Sequence, residues 1–330
     1  MTPLVLAQNV SKRFAPRLGL GERIAAKLGS PVETRTVHAV DNVSLAIAKG
    51  EVLGLVGESG CGKSTLGRVI AGIHPPSAGQ VTIGGESVMR EGRKSTTRIQ
   101  TVFQDPFASL DPRIRIGEAI AEGPLAHGLM RKADARAEVA RWLDAVGLPA
   151  EAAERFPHQF SGGQRQRVAI ARALAMQPDI LVCDEPVASL DVSIQAQIVN
   201  LFLKLRRELG LTMLFISHDL GIVRHISDRI AIMYLGRIVE TGETEAVFAA
   251  PRHPYTRALL DSVPKLVTDS EELVSFKAIA GELPSPLSPP PGCHFHLRCP
   301  HAQAVCREIV PASDSQGGMH PVACHFPLIS

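Results

Sequence analysis

Three groups of residues in the 330-residue chain have types and spacing suited to chemistry. The first is Gly57-Glu58-Ser59-Gly60-Cys61-Gly62-Lys63-Ser64-Thr65, which fits the pattern G-x-x-x-x-G-K-S/T. Its glycines let backbone N–H groups converge on phosphate oxygens, Lys63 has the reach for outer phosphates, and the Ser64 hydroxyl suits Mg²⁺. The chemistry implied is the binding of a nucleoside triphosphate. The second is the pair Asp184-Glu185 after the apolar run Ile180 to Cys183. Beside a phosphate loop, Asp184 suits Mg²⁺, directly or through water, and Glu185 suits polarising an attacking water. Successive strand side chains point to opposite faces, which divides the two roles. The third is Cys293, Cys299, Cys306 and Cys324, gathered at one end of the chain with His294, His296, His301, His320 and His325. That density of soft ligands points to a metal.

These groups need elements to hold them. Three apolar runs, Val52 to Val56, Ile180 to Cys183 and Met213 to Ile216, are continuous instead of alternating and read as buried parallel strands. Ligands of an open α/β sheet bind beyond the carboxyl ends of its strands, which here are Gly57, Asp184 and Ser217. The interval between the first two runs is too long for one crossover and implies an inserted helical subdomain. It holds a helix over Arg131 to Val146, closed by Gly147, and another over Ser161 to Met176, ending before Pro178. Pro284 to Pro291 favours extended geometry and reads as a hinge before the cysteine-rich tail.

Composition excludes several classes. With 45% hydrophobic and 21% charged residues, and Gly 28 plus Pro 24, the chain is neither disordered nor collagenous. Lys+Arg 35 against Asp+Glu 33, a formal charge of +2, and only 4% aromatics make no case for nucleic acid. The N-terminus has no secretory cleavage pattern, and no apolar stretch reaches the roughly 18 residues of a membrane span. A cytoplasmic protein is expected, touching a membrane through its surface or a partner.

Phe160-Ser161-Gly162-Gly163-Gln164-Arg165-Gln166-Arg167 lies between the phosphate loop and Asp184 and resembles the signature motif of ABC-type ATPases. Ser161 opens a helix, so the chain has two anion-binding helix starts where one chain needs one. The resemblance implies that Ser161, Gly162, Gly163 and Gln164 close over ATP held by the phosphate loop of a second ATPase subunit. It further implies Gln104 as sensor of Mg²⁺ and water and link to a membrane partner, His218 as the γ-phosphate contact, and Asp191 as a bridge between the two subunits. ATP and Mg²⁺ follow as cofactors. Phe160 stands where leucine is usual, and no aromatic residue stands at the usual spacing for stacking on adenine. Phe14 either takes that role or packs in the core. Residues 15–36 would then form an extra loop whose Arg17, Arg23, Lys27 and Arg35 are a solvated face or a contact for anionic lipid headgroups.

Pro251-Arg252-His253-Pro254-Tyr255-Thr256-Arg257-Ala258-Leu259-Leu260, with the proline and cysteine segments after it, resembles the C-terminal extension of dipeptide, oligopeptide and nickel importer ATPases. The fold implied is α/β, a P-loop NTPase with a RecA-like core and inserted helical subdomain (about 105–175) within residues 1–250, and a small Cys-rich extension over 251–330. The function implied is ATP hydrolysis powering peptide import through a bacterial ABC transporter. Its place would be peripheral, on the cytoplasmic face of the inner membrane. Its partners would be a second, homologous ATPase subunit in a heterodimer, two permease subunits and a solute-binding protein, with no nucleic acid. A soluble iron–sulfur-sensing regulator, or an importer of nickel or glutathione-like cargo, is the alternative. Zinc favours a short Cys-x-x-Cys type of knuckle, and none is present. Resemblance to some dipeptide-importer ATPases implies instead a 4Fe–4S cluster on the four tail cysteines; zinc and plain thiols follow in that order. Cys61 and Cys183 read as small apolar fillers.

Overall fold

A computed structural model describes residues 3–16, 35–105, 109–262, 279–313 and 320–329. Arg17, Arg23 and Lys27 of the expected extra loop lie outside the described residues. The scaffold is a six-stranded sheet ordered β12-β11-β3-β10-β9-β8, comprising β3 (Val52–Val56), β8 (Ile99–Val102), β9 (Ile180–Asp184), β10 (Thr212–Ile216), β11 (Arg229–Tyr234) and β12 (Arg237–Glu243). All neighbours pair in parallel except the antiparallel edge pair β11 and β12. A smaller antiparallel sheet, ordered β2-β1-β4-β5, is built from β1 (Val5–Phe14), β2 (Val37–Ile47), β4 (Ala78–Ile83) and β5 (Glu86–Ser87). The hairpin β6 (Met89–Arg90) and β7 (Arg93–Lys94) follows it.

The continuous apolar runs are explained by burial on both faces of the larger sheet. Leu53, Leu55, Val182, Leu214 and Ile216 pack with the small sheet, while Val52, Val56, Leu181, Met213 and Phe215 face the helices. All five residues of β3, β9 and β10 are buried. The phosphate-side helix α1 (Lys63–Ile70) lies on the first face. On the second lies α5 (Val192–Leu209), whose Ile198, Phe202 and Leu205 form one buried stripe, while the inserted α2 (Ile116–Ala126) and α3 (Ala135–Ala145) pack on α4 (Gly162–Ala175), which meets the sheet at β8. Gly210, at φ 64°, ends α5 in the left-handed conformation that favours glycine. The expected helix from Arg131 starts later, at Ala135, because Arg131 to Asp134 form a separate turn closed by Asp134 N–H donating to the Arg131 carbonyl at 3.0 Å.

After α6 (Leu220–Ile226) and α7 (Thr244–Ala249), the chain forms α8 (Pro254–Asp261) and, in the tail, α9 (Ala304–Glu308). The tail is not set apart from the core. Tyr255 and Phe295 belong to the same apolar cluster as Val52 and Phe215, and Tyr255 is fully buried. The proline segment forms neither helix nor strand, as its composition requires, and is held to β2 by His38 N–H donating to the Pro286 carbonyl at 2.9 Å. Further on, Val322 bridges to Glu240 of β12.

Candidate functional site

The phosphate loop connects β3 to α1. Its shape requires glycine at position 62, where φ is 109° and a Cβ would lie 2.1 Å from the Ala39 carbonyl oxygen. Lys63 is buried, and its ammonium donates to the carbonyl oxygens of Gly57 (2.8 Å) and Glu58 (3.0 Å), across the loop that it closes. Ser59 and Gly60 form the exposed rim, and burial pushes the Cys61 thiol upward in pKa, which suits a filler. Thr65 and Ser64 sit in the first turn of α1, half-buried.

Strand order brings the other groups to this loop. Because β10 lies between β3 and β9, the segment after Ile216 stands between the phosphate loop and the carboxylates. Asp184 is buried, and burial raises its pKa against the opposing hydrogen bond from the Ser64 side chain and the charge of Arg68. Arg68 Nε lies 3.7 Å from Asp184 Oδ2, while Oδ1 is buried with no partner. Glu185 Oε2 lies 3.3 Å from His218 Nδ1. The two adjacent carboxylates do separate, but not through strand alternation: β9 ends at Asp184, and Glu185 leaves it with φ 49°, a left-handed conformation that a glutamate adopts under strain. Its N–H donates to the Ile216 carbonyl at 3.0 Å, which fixes that bend. Gln104 is exposed beyond β8, and its carbonyl accepts from the Ser189 hydroxyl at 3.3 Å.

The signature segment stands elsewhere. Ser161 is the N-cap of α4, its hydroxyl accepting from Gln164 N–H at 3.3 Å while Gln164 Oε1 accepts from Ser161 N–H at 3.1 Å. Gly162 is half-buried, and Gly163 is where α5 comes close: a Cβ there would lie 2.5 Å from Ile194 Cγ2. Among the described residues, no hydrogen bond or ion pair joins Ser161 or Gln164 to the phosphate loop. Asp191 is exposed at the start of α5, and Val192 beside it is 81% exposed. Phe14 is not a core residue: it is 38% exposed at the end of β1, with Lys12 Nζ 4.9 Å from its ring centre and His74 edge-on to it.

In the tail, Cys293, Cys299, Cys306 and Cys324 line one cavity with Phe295, Phe326, His253, His296, His301 and His325. The space between them is about 10 Å³, room for about one water molecule. Among the described residues, no group of three or more His, Cys, Asp or Glu is already set around a metal position. Burial raises the pKa of the Cys293 and Cys299 thiols, and that of Cys324 to about 11. The tail histidines divide. His294 Nδ1 lies 2.8 Å from the Leu235 carbonyl, and His320 Nε2 lies 2.7 Å from Glu240 Oε1, away from the thiols. Cys183 is buried in β9, apart from this set.

Sequence reasoning missed four residues. Buried Glu240 accepts from Arg252 N–H (2.7 Å) and His253 N–H (2.9 Å) as well as pairing with His320, so one carboxylate ties α8 and the tail to β12. His253 is buried and its pKa falls to about 3; Nδ1 accepts from Tyr255 N–H at 3.0 Å, and Nε2 has no partner at the thiol cavity. Tyr255 Oη accepts from Glu58 N–H at 2.9 Å, and Arg298 pairs with the Glu58 carboxylate. His253 and Tyr255 lie in a segment marked only by its resemblance; for Glu240 and Arg298 no local pattern exists to read.

A family model described as ABC transporter matches residues 40–188, and one described as oligopeptide/dipeptide transporter, C-terminal region, matches residues 239–306. A Brucella abortus protein named a peptide import ATP-binding protein is 51% identical over 295 residues, 88% of this chain and 87% of that one. A Brucella ovis protein of the same description is 45% identical over 327 residues, 98% of both chains. Among solved structures, CbiO1 of Clostridium perfringens, part of an ABC transporter complex, superposes with a TM-score of 0.61 at 27% identity, covering 76% of this chain and 92% of that one. A dimeric ATP-binding cassette in a post-hydrolysis state, bound to ADP and Pi, gives a TM-score of 0.59 at 30% identity, covering 73% of this chain and 98% of that one.

Proposed function

The chain belongs to the ABC transporter family of ATP-binding subunits, and from that premise we propose that it is the ATPase of a peptide importer. The observation that carries the reading is the convergence, on one sheet edge, of Lys63, Ser64, Asp184, Glu185 and His218. The residues fit Mg²⁺: Asp184 keeps a buried carboxylate oxygen without a partner, hydrogen-bonded at its side chain to Ser64. Bound Mg²⁺ would neutralise phosphate charge there. Lys63 exchanges its loop carbonyls for phosphate oxygens. Glu185, held outside β9 by its backbone bend, takes a proton from water, and His218, its neighbour at 3.3 Å, orients that carboxylate and meets the outer phosphate. Gln104, at the foot of the Ser189 loop, senses the same region and contacts the membrane partner. Phe14, exposed on β1, stacks on adenine.

Among the described residues no hydrogen bond or ion pair joins Ser161 or Gln164 to the phosphate loop, and we take the second half of the nucleotide site from another subunit. The exposed Ser161, Asp191 and Val192 support that reading, which we extend to a heterodimer with a homologue. Signature residues of one subunit close over the loop of the other, and hydrolysis reopens the pair. Permease subunits and a substrate-binding protein are partners of the family in general. No helix among the described residues is long and apolar enough to cross a membrane, and we place the chain peripherally, on the cytoplasmic face. We divide it into an ATPase unit over 1–250, with its helical part at about 105–175, and an extension over 251–330.

The four-thiol cavity we assign to a 4Fe–4S cluster. Donor type supports the reading: four soft thiols line one cavity with no carboxylate in the lining, and the partnerless His253 Nε2 borders it, while the thiols must shift to surround a metal position. Zinc is the alternative, because a single ion enters the narrow space while a cubane needs the thiols to part. Metal and sulfide analysis after anaerobic purification decides, with about four irons per chain for the cluster and one zinc for the alternative. The function itself is tested by phosphate release and by peptide uptake in vesicles carrying the native complex. ATP hydrolysis with no coupled peptide uptake removes the cargo assignment.

A further inference from the structure

The phosphate loop contains a carboxylate, Glu58, one residue after its first glycine. A negative side chain beside a polyphosphate site weakens binding by like-charge repulsion unless a cation cancels it. Lys63 does not do so: its ammonium is directed to the Gly57 and Glu58 carbonyls. Arg298 does. Its Nη1 lies 2.9 and 3.1 Å from the two Glu58 oxygens, with the arginine side chain 4% exposed and the glutamate 24%. The guanidinium is aimed before any ligand arrives, since Nε donates to the Ala280 carbonyl at 3.0 Å and the group stands 5.8 Å from the Tyr234 ring centre. The backbone of Glu58 is held as well, through its N–H and the buried Tyr255 hydroxyl at 2.9 Å. Tyr255 is wedged between Tyr234 and Phe295, with ring centres 4.7 and 5.4 Å away.

Resting on the reading of residues 57–65 as the ATP site, we propose that Arg298 and Tyr255 of the C-terminal extension are positioning residues of that site. Arg298 neutralises Glu58, and Tyr255 fixes its backbone, so that the loop presents N–H groups and Lys63 to the phosphates without an unpaired carboxylate. Arg298 lies in the turn between Cys293 and Cys299, which is closed by Arg298 N–H on the Phe295 carbonyl (2.9 Å) and Cys293 N–H on the Cys306 carbonyl (2.9 Å). The thiol cavity thereby frames the residue that sets the charge of the ATP site.

The test is MgATP binding to the full chain at low salt, with thermal unfolding read on every variant. Arg298→Gln, which keeps the stem and an amide donor, is expected to weaken binding about 10-fold, and the loss to shrink as salt rises. Arg298→Lys keeps the charge and stays within about threefold of wild type, and Tyr255→Phe weakens binding about two- to fivefold. The decisive readout is coupling: Arg298→Gln is expected to weaken binding about 10-fold in the wild-type background but less than about twofold when Glu58→Gln is already present, because the offending charge has gone. Wild-type affinity in Arg298→Gln overturns the proposal, as does a loss of the same size in the Glu58→Gln background. Failure of the underlying reading looks different: Lys63→Ala would then bind MgATP as well as wild type.

Discussion

In the phosphate loop, consecutive residues turn from β3 into α1 and bring backbone N–H groups, Lys63 and Ser64 to one point within a single bend. The thiol cavity draws Cys293 and Cys299 from the two ends of one turn, Cys306 from α9 and Cys324 from the extended segment after Val322, with His253 reaching it from the start of α8. The first site is held by local dihedral angles and one buried strand. The second is held by contacts between residues far apart in sequence: Glu240 with Arg252, His253 and His320, and Arg298 with Glu58. The comparison teaches that the region with the least regular structure depends most on side-chain ionic and hydrogen-bonded ties, and returns one of them to the region with the most.

The two regions respond to substitution with effects that run from large to small. Glu185→Gln is expected to lower phosphate release at least about 100-fold while retaining ATP and accumulating a closed dimer, seen by size-exclusion chromatography with MgATP. Normal turnover in that variant would remove Glu185 from the chemistry. Glu240→Ala leaves two N–H donors and an imidazole without their buried acceptor and should cost about 3 kcal/mol, measured by urea unfolding. If hydrogen exchange then rises only around residues 252–253 and 320–323, the two regions fold separately; if it also rises in the phosphate loop, they fold as one. Cys324→Ser should lower bound metal per chain by more than about half and weaken ATP binding less than Arg298→Gln does, since the turn carrying Arg298 keeps its backbone bonds. Ser161→Ala removes an N-cap and should cost about 1 kcal/mol of stability, without changing ATP binding to the isolated subunit. The smallest effect is expected for Arg141→Ala, which opens an exposed i,i+3 pair with Glu138 and should stay within about 0.5 kcal/mol.

Much of the first region is legible without coordinates. The run Val52 to Val56 is β3 residue for residue, and the runs at Ile180 and Met213 each gain only one residue as strands. Burial on both faces makes such strands continuous in apolar residues, and continuity survives any strand order. Position in the sheet does not: nothing in the apolar runs says that β10 separates β3 from β9, yet that order brings His218 beside Glu185. The adjacency of Asp184 and Glu185 is legible in the sequence, but what parts their side chains is not, because a left-handed φ at glutamate reflects a constraint from the Ile216 carbonyl. The gathering of the tail cysteines was visible as composition, whereas the diversion of His294 and His320 to Leu235 and Glu240 was not.

What the sequence determined by itself is therefore whatever a short stretch of chain decides alone: the glycine-shaped loop, the buried strands, the capped helix at Ser161 and the concentration of thiols. Each follows from local dihedral preference, local hydrogen bonding or burial period. Which charges meet depends on the packing of the whole chain. Glu58 stands 240 positions from Arg298 and is neutralised by it. No local preference encodes a pairing across that separation; it arises because Tyr255 and Phe295 pack into the same apolar cluster as the sheet and carry the arginine to the loop.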